Sequence, residues 1–137
     1  MKLKLKELKE HFMKLQIKLS TLWVVVMFNM LFADILTFMV PGFLETLMTG
    51  YSEDIKITQE LLLIFAFFLE IPILMIFLSR VLQPKLNRLL NILAAIITIL
   101  FVIGGGSLIY HYVFFAAIEV ACLLAIIWYA FRWKEIV

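Results

Sequence analysis

Long apolar runs alternate with short polar ones along this chain, and the runs are of a length that suggests membrane crossing. The first, from about Leu19 to Val40, is closed by Pro41-Gly42, a pair that removes an amide donor and then permits a sharp turn. A second, from about Thr58 to Ser79, begins after Ser52-Glu53-Asp54 and ends before Arg80 and Gln83-Pro84. A third, from about Leu86 to Ile103, runs into Gly104-Gly105-Gly106, and a fourth follows almost at once, from about Leu108 to Phe131. Lipid offers the backbone no hydrogen-bond partners, and the period-two alternation of a barrel is absent, so each run predicts an α-helix. The expected architecture is all-α: an integral membrane four-helix bundle over residues 19–137, its last two spans forming a tight antiparallel hairpin.

Ahead of the first span, Leu5, Leu8, Phe12, Leu15 and Leu19 recur at spacings of three and four, with lysines elsewhere on the wheel. Residues 1–18 therefore predict a basic amphipathic helix lying on the membrane surface. A cleaved signal peptide fits less well. The apolar segment that follows is too long for an h-region, lacks a small-x-small site and contains Asn29 and Asp34.

Composition agrees with the pattern, since 65% hydrophobic residues, a mean hydropathy of +1.09 and 16% charged residues exclude an ordinary soluble domain. Charge adds orientation. Eleven of the twelve basic residues lie before span one (Lys2, Lys4, Lys6, Lys9, Lys14, Lys18), between spans two and three (Arg80, Lys85, Arg88) or after span four (Arg132, Lys134), leaving only Lys56 on the other side. The positive-inside rule then predicts cytoplasmic N- and C-termini, with the loop holding Glu45, Glu53 and Asp54 outside. Trp23, Trp128 and Trp133 are expected near the cytoplasmic interface. The lysine run is read as anchoring and topology, with no nucleic-acid partner, and His11 within it as a solvated residue. The single Cys122 excludes an internal disulfide and carries no information on redox compartment.

Candidate chemistry lies in the polar residues inside the spans. A charged side chain at a helix centre costs roughly 2.5–3.5 kcal/mol on insertion scales, so Glu70 and Glu119 are expected to face inward. With the helices antiparallel, Asn29, Glu70 and Glu119 fall near one depth, while Asp34, Glu60 and His111 suggest a second polar layer opening outward. Tyr112, seven residues before Glu119, shares nearly the same helix face. Two carboxylates in a low-dielectric core predict a proton held between them, or a cation or amine in its place. Asn29 and Asp34 lie about 140° apart on their helix, so both cannot point squarely at one centre. Pro72 predicts a kink beside Glu70. Span three carries Asn87, Asn91, Ala94, Ala95 and Thr98, read as helix-packing positions. Trp23, Met27 and Met30, with Phe65, Phe67, Phe68, Phe114 and Phe115, have two readings: core or lipid-facing filler, which is the commoner role, and the lining of a pocket for a flat apolar ligand. The paired Glu-x-x-His motifs of di-metal bundles are missing, so no metal site is expected; soluble-enzyme fingerprints are absent, and no motif identifies a cofactor.

The strings LSTLW, FNMLFADIL followed by PGF, and LLLIFAFFLEIPILMIFLSRVL followed by a polar turn and NRLLNILAAIITI resemble an uncharacterised family of small prokaryotic four-span integral membrane proteins. The layout is more loosely similar to DoxX-like four-helix membrane proteins. The resemblance implies a prokaryotic cytoplasmic membrane location. The leading expectation is an intramembrane acidic cavity built from Asn29, Asp34, Glu70, His111, Tyr112 and Glu119 that binds, or carries, a small cation, amine, amphipathic ligand or protons. A second reading is an assembly subunit, as a homo-oligomer or beside a membrane partner. A third is an intramembrane isomerase or redox enzyme using Glu70 or Glu119 as acid and base.

Overall fold

The computed structural model describes residues 1–133, which form five α-helices and one small hairpin. Helix α1 covers Lys2–Phe38, α2 Phe43–Met48, α3 Gln59–Val81, α4 Pro84–Gly104 and α5 Tyr110–Phe131. Strands β1 (Tyr51–Ser52) and β2 (Ile55–Lys56) pair antiparallel, with Tyr51 opposite Lys56. Lys134 lies outside the described residues.

Four helices, α1, α3, α4 and α5, are long and apolar enough to cross a membrane. Their ends follow local chemistry. The Thr58 hydroxyl accepts from the Leu61 amide at 3.1 Å and caps α3, and Pro84 opens α4 where its missing donor is not needed. At the other end of α1, Gly42 takes a left-handed φ of 82° to start α2. Glu53 sits at φ 55° in the hairpin turn, a conformation that the sequence pattern alone gave no means of placing.

Two features of α1 differ from the sequence reading. Residues 1–18 do not form a helix of their own: Lys2–Phe38 is one unbroken helix of 37 residues, about 55 Å long. Its apolar stripe is partly covered by the protein itself, since Leu15 and Leu19 are buried and Phe12 packs edge-on against Trp133 at 4.9 Å between ring centroids. Trp23, expected at an interface, is 0% exposed in the core.

The helices pack in the cyclic order α1, α3, α4, α5, with α5 closing against α1. They run antiparallel to their neighbours. Lys18 lies over the Tyr129 ring at 5.5 Å, Arg88 over Phe131 at 5.7 Å and Arg132 over Trp128 at 4.9 Å, which gathers the cations at one end, the basic end. Gly42 and Gly104-Gly105-Gly106 mark the opposite, glycine end.

The core of the basic half is held by a buried polar network. Asn91 Oδ1 accepts from Trp23 Nε1 at 2.8 Å and from Ser79 Oγ at 3.2 Å, joining α1, α3 and α4. Asn91 Nδ2 donates to the Asn87 backbone carbonyl at 2.9 Å and to Asn87 Oδ1, and Asn87 Nδ2 donates to the Ser79 carbonyl at 2.8 Å. Each of these amides is thus satisfied without water. Ser20 adds a bond from α1 to the Ile76 carbonyl at 2.8 Å. The outer surface of the helices is dominated by exposed Leu, Ile, Val and Phe, which suits a hydrocarbon solvent.

Candidate functional site

In the glycine-end half, the four long helices do not close completely. A cavity of about 200 Å³ lies between them. It is reached from α5 by Tyr112 and Glu119, from α1 by Met30, Ala33 and Asp34, from α3 by Phe65 and Leu69, and from α4 by Phe101, Val102 and Gly105.

Glu119 is the central polar group. It sits nine residues into α5, about 13 Å from that helix's first residue, and is 3% exposed. Its Oε1 has no hydrogen-bond partner among the described residues. An unpaired acceptor in an interior costs roughly 1–3 kcal/mol, more when charged. Asp34, four residues before the end of α1, lines the same cavity and is itself exposed at the protein surface. Tyr112 stands two turns above Glu119 on the same face, as its seven-residue spacing predicts.

The glycines shape the rim. A Cβ at Gly105 would lie 3.2 Å from the Phe101 carbonyl, and one at Gly106 would lie 3.1 Å from the Val102 carbonyl and 3.7 Å from the Tyr112 ring. The absence of side chains there leaves room for Tyr112 and for the cavity mouth beside it.

Three of the predicted residues therefore meet: Asp34, Tyr112 and Glu119. The others do not. Glu70 is exposed on the outer face of α3, because the buried positions of that helix are Pro72, Met75 and Ser79 and Glu70 precedes Pro72 by two residues, about 200° of rotation. Matching depth was insufficient. Asn29 turns back on its own helix, donating from Nδ2 to the Val25 carbonyl at 2.7 Å. His111 lies outside the cavity, with Nε2 3.0 Å from the Thr37 hydroxyl, and ties the first turn of α5 to the last turn of α1. The Thr37 hydroxyl also lies 2.7 Å from the Ala33 carbonyl of its own helix. Glu60 is exposed in the first turn of α3, where the helix dipole favours an acid.

Among the lining aromatics, Phe65 was legible as a pocket candidate and Phe101 was not. The available signal was spacing: Phe101 lies four residues before Gly105, on the face that opens at the glycine end. Phe101 is also in edge contact with Phe65 at 6.1 Å and stacked on Phe68 at 5.5 Å. These contacts fix the α3 and α4 walls relative to each other.

Among the described residues, no group of three or more His, Cys, Asp or Glu side chains is arranged to hold a metal ion. The cavity instead combines two carboxylates and a phenol with carbon walls.

Residues 3–137 match a family of unknown function, DUF6326, and the chain belongs to that family. No match was found among curated proteins or among solved structures, and no similarity to DoxX-like proteins emerged.

Proposed function

We propose that this member of the DUF6326 family is an integral membrane four-helix bundle that binds a small cation in the cavity at its glycine end. In this reading the basic end faces the cytoplasm, with both termini and the α3–α4 turn there, and α2 and the β-hairpin lie outside. The distribution of Lys18, Arg80, Lys85, Arg88 and Arg132 at one end supports that orientation.

One observation carries the functional reading: a buried carboxylate, Glu119, with one oxygen unpartnered among the described residues, lines a cavity shared with a second acid. Membrane interiors retain such groups at a cost, and a bound cation offsets it. The test is thermal unfolding of the detergent-purified protein with sodium, potassium, calcium, magnesium and alkylammonium salts, beside Glu119→Gln. At a concentration 100 times its Kd, a bound cation adds about 2.7 kcal/mol of stability. The expected outcome is at least one cation that raises the Tm of the wild type and not of Glu119→Gln. A panel that leaves both unchanged refutes the reading.

Glu70 favours a second role beside the first. An acid on the outward face of α3, near the middle of a span, is best accommodated by a hydrogen-bonding partner chain. Cross-linking from a cysteine placed at Leu74 in native membranes tests this, and the absence of any adduct counts against it.

A further inference from the structure

Resting on the reading that the cavity takes a cation, we propose that its ligand is a compact organic monoammonium: one amine nitrogen on an apolar body about the size of a single ring or a short alkyl chain.

Three features of the cavity point to this class. The first is its donor set. Among the described residues, Glu119 supplies an oxygen with no partner and Asp34 a second carboxylate, while no basic side chain lines the space to neutralise them. An ammonium group brings both the positive charge and the N–H donors that the Glu119 oxygen lacks.

The second is the wall. Phe65, Phe101 and Tyr112 line the same space as the acids, and Met30, Leu69 and Val102 supply aliphatic surface. Ring faces attract an ammonium, and most strongly where it is desolvated. Bare calcium or magnesium requires six or more oxygens, and two carboxylates with a phenol are too few without several retained waters. The carbon walls serve the apolar body of an amine and offer nothing to a hydrated metal ion.

The third is size. A cavity of roughly 150 Å³ lined by apolar residues accommodates benzene. At about 200 Å³ this one has room for a ring with an aminomethyl arm, or for an alkylamine of similar bulk. Sterols and long-chain quinones exceed it.

The experiment is isothermal titration of the wild-type protein in detergent with benzylamine hydrochloride, n-butylamine hydrochloride, benzyl alcohol, spermidine and sodium chloride. Benzylamine is expected to bind one to one, at least tenfold more tightly than benzyl alcohol, which has the same shape without the charge. Phe101→Leu should weaken benzylamine two- to fivefold, and Glu119→Gln tenfold or more, while both variants remain monodisperse. The comparison of benzylamine with benzyl alcohol uses the wild type alone and holds even if a variant misfolds. If sodium or calcium binds in a Glu119-dependent manner and neither monoamine does, the cation-binding reading stands and the ammonium assignment falls. Equal binding of benzyl alcohol and benzylamine overturns the assignment by making the cavity a plain apolar pocket. No binding by any probe overturns both.

Discussion

Asn91 is the position at which one substitution should do most to the packing of the helices. Its carbonyl oxygen accepts from Trp23 and Ser79, and its amide nitrogen donates twice to Asn87. Asn91→Ala leaves the buried Trp23 N–H and Ser79 hydroxyl without an acceptor. Orphaned buried donors cost about 1–3 kcal/mol each in proteins generally. Between membrane helices the net value of a hydrogen bond is lower, averaging about 0.6 and reaching about 1.7 kcal/mol, because the separated helices find other partners. Taking roughly 1–1.5 kcal/mol for each of the two donors and a small term for lost packing, Asn91→Ala should cost about 2–4 kcal/mol. Trp23→Phe removes the N–H and should cost about 1–2 kcal/mol. In the double variant there is no indole donor left to orphan, so the total should fall short of the sum by about 1 kcal/mol. Reversible unfolding in mixed micelles against increasing denaturing detergent measures all four states of the cycle. Additivity within about 0.3 kcal/mol would show that the Trp23–Asn91 bond contributes nothing, and the account of the core given above would be wrong.

Other outcomes follow from single contacts. Glu70→Leu should raise the Tm of the isolated, detergent-solubilised chain, since the acid has no inward partner there; a lower Tm would contradict its outward placement. His111→Phe and Thr37→Val should each cost about 0.5–1.5 kcal/mol, and together less than their sum, as read by the same unfolding assay. Because Glu53 holds a left-handed φ, Glu53→Val should destabilise the Tyr51–Lys56 hairpin by about 1–2 kcal/mol, whereas Glu53→Gly should be tolerated; faster amide exchange at Ile57, whose N–H donates to Gly50, would report the difference.

The four apolar helices were legible because twenty-residue hydrophobic runs and their Pro, Gly and charged borders are one-dimensional signals: the expected ends at Thr58 and Ser79 lie within a few residues of Gln59 and Val81. The site was only half legible. Depth along a helix can be counted from the sequence, and the seven-residue spacing of Tyr112 and Glu119 puts them on nearly one face, two turns apart. Rotation depends on which residues neighbouring helices bury, and for α3 the apolar run is so continuous that Leu, Ile and Phe occupy every face. Nothing in that run marks Pro72, Met75 and Ser79 as the inward stripe until α1 and α4 are in position. Glu70 was misassigned for that reason. Trp23 was misread because tryptophan suits both an interface and a core with a waiting acceptor, and the acceptor stood 68 residues away.

The cyclic order of the helices bears on how the protein is made. The longest helix, α1, is synthesised first, yet its most extensive partner is α5, synthesised last. Until α5 arrives, α1 can meet α3 and α4 but the ring stays open, with Leu123, Ile126 and Ala130 not yet present to cover its inner face. In the proposed membrane setting single spans can insert one at a time, but closure of the ring has to wait for α5. During that interval the open side of one nascent chain is complementary to the α5 of another, so an exchange of last helices between copies is the assembly error to which this topology is most exposed.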